Sequence, residues 1–218
     1  MKKLLITVFS FLYISSASAD VGFNVGASAH MGLFSASAKE LTGTTTKGTG
    51  SESGEAAWGS LFVEGTLNDR FILGIDYVPS ALETETTETA KSDKGVGAVT
   101  ATTVTNKVQV DFEDLTTLYA GFMITENMYV KAGVTTVDVI TNENLGTGGN
   151  YANTELDGSM FGVGYHNALD NGVFFRVEGN YMTFDGATIT SSGSASNNKI
   201  TLSSLDGVSG KFSIGKSF

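Results

Sequence analysis

The sequence predicts an all-β protein: an eight-stranded antiparallel up-and-down transmembrane β-barrel, exported by a cleaved signal peptide. Three observations lead there. Apolar and polar residues alternate with period two, segment after segment. The links between these segments run long, short, long, short, long, short, long. Beyond the first nineteen residues no apolar run is long enough to cross a bilayer as a helix.

The 218-residue chain opens with a processing signal. Lys2 and Lys3 precede an apolar stretch from Leu4 to Ile14, and small residues ending in Ala17-Ser18-Ala19 follow. This order matches the n-region, h-region and cleavage site of a secretory signal peptide. The expected domains are therefore a signal peptide at 1–19 and a barrel at 20–218. Cleavage removes Lys2 and Lys3 and takes the formal net charge from −10 to −12. The chain has no cysteine, so an exported fold of this size needs some stabiliser other than disulfides. A closed barrel in a bilayer supplies one. The absence of a basic cluster excludes nucleic-acid binding through phosphate neutralisation.

The strands follow in order. In Val21–Phe34, Val21, Phe23, Val25, Ala27, Ala29, Met31 and Leu33 share one face, and Asn24, Ser28 and His30 lie on the other with glycines. After a polar stretch (Ala36–Glu55), Ala57–Leu67 sets Leu61, Val63 and Leu67 against Ser60, Glu64 and Thr66. Asn68-Asp69-Arg70 makes a tight turn into Phe71–Val78, where Ile72 and Val78 depart from the polar face. A second polar stretch, Pro79–Thr102, leads to a long strand, Thr103–Ile124. There Val108, Val110 and Phe112 share the parity of Leu118, Ala120, Phe122 and Ile124. Asp114 interrupts that face and predicts a bulge or bend.

Thr125-Glu126-Asn127 turns into Met128–Ile140, whose second half places Val137 and Val139 on the otherwise polar side. A third polar stretch, Thr141–Glu155, precedes Leu156–Tyr165. The turn Asn167–Gly172 leads to Val173–Phe184, where Phe174, Arg176, Glu178, Asn180 and Met182 oppose Val173, Phe175, Val177 and Tyr181. A fourth polar stretch, Asp185–Asn198, precedes the last strand. Three short turns and both ends fall on one side of the barrel, and four long loops on the other.

Alternation alone also suits a soluble calyx with its apolar face inward. Single charges among glycines and serines on the polar face suit a narrow lumen instead. Glu64, Asp76, Lys131, Arg176 and Glu178 are the candidate interior charge network. Phe23, Phe71, Tyr77, Phe122, Tyr181 and Phe218 fall near strand ends, as interfacial aromatic girdles do. The segment Lys211-Phe212-Ser213-Ile214-Gly215-Lys216-Ser217-Phe218 ends on phenylalanine.

On these residues the chain resembles the small eight-stranded outer-membrane barrels of the OmpA/OmpX type, over its whole mature length. The resemblance implies a bacterial outer-membrane location, contact with outer-membrane lipid and lipopolysaccharide, and a monomer. It also implies recognition by the barrel-assembly machinery through the terminal strand, with Phe212, Ile214 and Phe218 as the signal. Lys216 departs from the apolar or aromatic residue usual at its position, and a lysine there snorkels to the interface. No residues are left for the peptidoglycan-binding domain of full OmpA proteins.

His30 and His166 are the only histidines, and no G-x-S-x-G or H-E-x-x-H motif occurs. The acidic Glu83, Glu85, Glu88 and Asp93 fit no calcium-loop spacing. The expectation is a non-catalytic protein without metal or cofactor. Its role would be envelope structure and loop-borne adhesion or binding, with no external ligand specified. The alternatives are a narrow passive channel, a lipid-modifying enzyme and a soluble lipocalin-like barrel.

Overall fold

Val, Ile, Thr and aromatic residues crowd the periodic segments, and these favour the pleated, half-buried surface of a sheet. The structure is a computed structural model that describes residues 20–193 and 198–218. The expected signal peptide, Met1–Ala19, lies outside the described residues, as does 194–197 of the fourth polar stretch. Among the described residues no helix occurs. The strands are β1 (Val21–Thr42), β2 (Thr45–Leu67), β3 (Phe71–Tyr77), β4 (Leu82–Glu83), β5 (Thr87–Asp93) and β6 (Thr102–Met123). They continue as β7 (Met128–Leu145), β8 (Gly149–Tyr151), β9 (Thr154–Ala168), β10 (Val173–Phe184), β11 (Ala187–Gly193) and β12 (Asn198–Ser217).

Eight of these form a ring in the order β1-β2-β3-β6-β7-β9-β10-β12, every pair antiparallel, and β12 returns to β1. The closing ladder runs from Asn24↔Ser217 to Thr42↔Asn198. At its base, Phe23 and Phe218 exchange backbone bonds of 3.1 and 2.8 Å. From the short turns up to Leu61↔Tyr77, closure leaves no unpaired edge around the ring, which is what lets strands stand in hydrocarbon. The first short turn forms as its residues require: Asn68 and Asp69 have φ of 51° and 54°, the left-handed pair of a type I′ hairpin.

The apolar face points outward. Val177 is 58 % exposed and Leu73 40 %, while Glu64 is 2 % and Lys131 5 % exposed. This excludes the calyx arrangement, in which the two faces would be exchanged. All six expected girdle residues lie on the outer face, and the Phe71 and Phe122 rings meet at a tilt across β3 and β6 with centroids 5.2 Å apart.

Three sequence expectations need correction. First, the bulge forms where Asp114 places it, but it changes more than the bend. Asp114 adopts φ 53°, and the two β6 residues between Glu113 and Thr116 face a single residue of β7, Val137. One extra residue inverts side-chain parity. Phe112 therefore packs against the interior cluster, while Leu118 and Phe122 face out, so the two groups do not share a face. Second, Val137 and Val139 are on the correct parity. They point inward because the outer part of the lumen is apolar. Val78 joins it for the same reason, whereas Ile72, beside the turn at 68–70, points into the opposite end of the lumen.

Third, most of the long polar stretches are strand rather than loop. β1 and β2 continue as a paired hairpin to Thr42↔Thr45, where Gly43 turns at φ 63°. At ~3.3 Å per residue, 22 residues extend far beyond the ~9–11 that span a membrane. Thr and Ser hydrogen-bond across strands there: Ser53 donates to Ser35 at 3.2 Å and Ser37 to Ser51 at 3.3 Å. β11 extends β12 and carries β8, while β4 and β5 run along β6. Above Leu61↔Tyr77, β2 pairs only with β1, so the outer wall parts between β2 and β5.

Candidate functional site: the barrel lumen and outer rim

The lumen is built by even-numbered residues of β1, β2, β3, β9 and β10 and odd-numbered residues of β7, β12 and the part of β6 beyond the bulge. All five charged residues expected there are inside, and all are drawn into ion pairs. Arg176 Nη1 meets Glu64 Oε1 at 2.5 Å, and Lys131 pairs with Glu178. Asp76 pairs with a residue left out of the expected network, Lys211, at 2.6 Å. Lys211 also lies 3.9 Å from Glu178. Its parity opposite Phe212 was the available signal. With it included, three carboxylates face three cations and the plug carries no net formal charge.

Neutral groups complete the plug, and they too were missed. Tyr119 donates to Glu64 Oε1 at 2.6 Å, Asn24 Nδ2 donates to Oε2 at 3.2 Å, and Tyr129 donates to Glu178. Arg176 Nε donates to His166 Nδ1 at 2.9 Å, which leaves the imidazole proton on Nε2. The guanidinium also lies 4.6 Å from the Phe174 ring centroid, and Phe174 is 0 % exposed. Such pairing is what a buried charge requires, because an unpartnered one costs several kcal/mol.

Glycines on the polar face make room for the phenol rings. A Cβ on Gly74 would come within 2.6 Å of Tyr119, and one on Gly164 within 2.4 Å of Tyr129. The alternation of glycine with charge on this face therefore reflects packing: rings lie flat over neighbouring strands.

Outward along the barrel from the plug, the lumen becomes apolar. Trp58, Val78, Leu115, Met160, Met182 and Phe184 belong to one buried cluster there, with Phe34, Leu82 and Phe112 packed on it. His30 lies at the junction, stacked on Trp58 with centroids 4.9 Å apart. Since β1 continues to Thr42, His30 sits near mid-strand and not near the outer end. A cavity of about 20 Å³ lies between the two layers, lined by His30, Asp76, Asn180 and Lys211 among others. It has room for about one water molecule. An ionic layer and an apolar layer thus block the bore in series.

His30 Nε2 and Ser60 Oγ share a hydrogen bond of 2.9 Å, a contact the sequence reading did not identify. A Ser–His pair acts as nucleophile and base when a third group orients the imidazole and a substrate can reach the hydroxyl. His30 Nδ1 has no hydrogen-bond partner among the described residues, and Ser60 is buried inside the barrel. His166 serves as an acceptor for Arg176.

The residues expected to signal assembly are on the outer face of β12: Phe212, Ile214 and Phe218 are all exposed. Phe212 stacks on Phe175, and Lys216 reaches the carbonyl of Asn171 at the adjoining turn. The outer rim is polar and predominantly acidic. Glu113, Asp138 and Glu155 are direct cross-strand neighbours on β6, β7 and β9. In the outer extension, burial raises the Tyr151 phenol pKa, and the carboxylates of Glu40 and Glu143 add to the effect. Of the acidic loop residues Glu83, Glu85, Glu88 and Asp93, Glu88 pairs with Lys107 and Asp93 with Lys91.

No protein-family model matches the chain, and no curated protein matches it. Solved structures similar to it include the outer membrane protein OprG from Pseudomonas aeruginosa, at 14 % identity, covering 90 % of this chain and 95 % of that one, with a TM-score of 0.48. Another is the outer membrane protease OmpT from Escherichia coli, at 8 % identity, covering 94 % and 99 %, with a TM-score of 0.44. A third is Ail, the attachment invasion locus protein of Yersinia pestis, at 11 % identity, covering 88 % and 98 %, with a TM-score of 0.33.

Proposed function

We propose that this chain is a non-catalytic bacterial outer-membrane protein that uses a closed barrel as a rigid anchor to hold a β-sheet extension and loops outside the cell. One observation carries the reading: an apolar belt encircles the barrel while a charge-balanced plug fills its bore. The belt has no stable place in water, because exposed apolar area costs roughly 25 cal/mol per Å². Hydrocarbon removes that cost, and the closed ladder satisfies the backbone. The external extension then serves envelope structure or surface contact, since binding residues are commonly borne on segments held by a rigid scaffold.

The test is fractionation and electrophoresis. The protein is expected in outer membranes, and unheated samples in detergent should migrate differently from boiled ones. A water-soluble monomer in the absence of any amphiphile would overturn the reading. In planar bilayers the closed lumen predicts no steady single-channel steps; their appearance would favour passive transport instead. Unaltered lipid A on deletion of the gene is the outcome expected of a protein without lipid-modifying activity.

A further inference from the structure

The outer wall carries an open seam. Below Leu61↔Tyr77 each ring strand has two neighbours, but among the described residues 45–60 of β2 pair only with β1. β5 likewise pairs only with β6. Each strand therefore presents a free edge to the gap between them, where the N–H and C=O groups of alternate residues lack a ladder partner. Proline or lysine commonly blunts such an edge. Residues 45–60 hold no proline and one lysine, Lys47, near the tip. The seam begins where β3 gives way to Pro79, the only proline of the chain, which has no N–H to offer β2. Carboxylates stand on both sides: Glu52 and Glu55 on β2, Glu83 and Glu85 on the segment after Pro79. All four are exposed, and no ion pair among the described residues involves any of them. Like charge on the two sides opposes closure of the seam onto itself.

We propose that the free edge of β2 takes up an extended cationic segment of another polypeptide as an added strand. The inference deepens the surface-contact reading above and rests on it. Three features select this occupant. A row of alternating donors and acceptors is complementary to another extended backbone. The unpaired carboxylates on both sides select basic side chains, and Glu55, beside Leu33 on the outward face, places them outside. On the inward face, Ala56 and Leu82 pack on the apolar cluster at the foot of the seam, and a Cβ on Gly48, Gly50 or Gly54 would meet nothing within 4 Å. The inward side chains of the added strand are therefore apolar, alternating with the basic ones. Every ladder of the ring is antiparallel, so the added strand runs antiparallel to β2, away from the membrane. A second copy of this chain fits poorly, because its β2 edge brings the same carboxylates.

The probe is a peptide of alternating lysine and valine, about ten residues long, carrying a nitroxide at one end. The mature protein, folded in a non-ionic detergent, is titrated with it. The readout is quenching of Trp58, the single tryptophan, which lies on β2 at the foot of the seam. Saturable quenching is expected. Methylating every backbone nitrogen of the peptide keeps its charge, removes its donors and should weaken binding by about tenfold. Glu52→Gln, Glu55→Gln, Glu83→Gln and Glu85→Gln together should weaken binding of the unmethylated peptide by about tenfold, and should abolish most of its salt dependence. Glu155→Gln with Asp157→Asn, on β9, should leave binding unchanged. The unheated band confirms that each variant is folded. Equal binding of the methylated peptide would overturn the proposal, as would unchanged affinity in the seam variant or the lack of saturable quenching. Recovery of the protein as a water-soluble monomer would overturn the outer-membrane reading instead, whether or not the peptide binds.

Discussion

Replacing Arg176 by alanine tests whether the lumen charges act as one unit. The side chain supplies the cation for Glu64 at 2.5 Å, donates to His166 at 2.9 Å and lies over the Phe174 ring. Its loss leaves Glu64, 2 % exposed, held by Tyr119 and Asn24 but without a compensating charge. Removing one partner of a buried pair costs about 3–5 kcal/mol. The two remaining donors favour the lower part of that range, and the lost contact with Phe174 adds about 1 kcal/mol. The expected destabilisation is thus about 4 kcal/mol. At a urea slope of about 2 kcal/mol/M, the unfolding midpoint in detergent falls by about 2 M. Glu64→Gln in the same background removes the stranded charge and should recover about 2 kcal/mol, so the double-mutant cycle shows a coupling of that order. Lys39→Ala, exposed on the outer sheet, is the control and should change little. If the two lumen substitutions add independently to within about 0.5 kcal/mol, the plug is not a coupled network and the reasoning fails.

Further outcomes follow from the same structure. Gly164→Ala sets a methyl group within 2.4 Å of Tyr129 and should destabilise by about 1–3 kcal/mol, whereas Gly65→Ala, with open space around it, should be tolerated; thermal unfolding in detergent distinguishes the two. Asp114→Val forces a β-branched residue into φ 53° and removes the 2.7 Å bond from Tyr77, so a loss of about 2 kcal/mol is expected, while Asp114→Gly should lose less. The paired substitution Asp76→Ala with Lys211→Ala opens the ionic layer without leaving a charge behind. Bilayer recordings should remain silent until Trp58→Ala also opens the apolar layer, and steps from the first variant alone would contradict two barriers in series. Phe218→Ala is expected to lower the amount of folded protein in outer membranes, measured by the unheated band; an unchanged level would remove Phe218 from any assembly signal.

Much of the barrel was legible because its signal is local. Side chains alternate across a strand whatever lies next to it, so Val21–Phe34 and Val173–Phe184 display both faces in isolation. Asn68 and Asp69 announce a left-handed turn for equally local reasons. The polar stretches misled because Thr, Ser and Gly suit loops and exposed strands alike. Only pairing with a neighbouring strand turns Ala36–Glu55 into a hairpin. Lys211 was visible on the polar face, but its place in the plug depends on Asp76, 135 residues away in sequence.

By itself, the sequence determined the eight ring strands, their direction and, outside β6, the residues of each face, since period, turn chemistry and link length are properties of neighbours along the chain. Which face was inside, which carboxylate met which cation, and how the Asp114 bulge exchanged the faces of β6 were decided by closure of the ring. Closure brings β1 against β12 and stacks side chains from distant strands into one bore, and no local pattern encodes those distances.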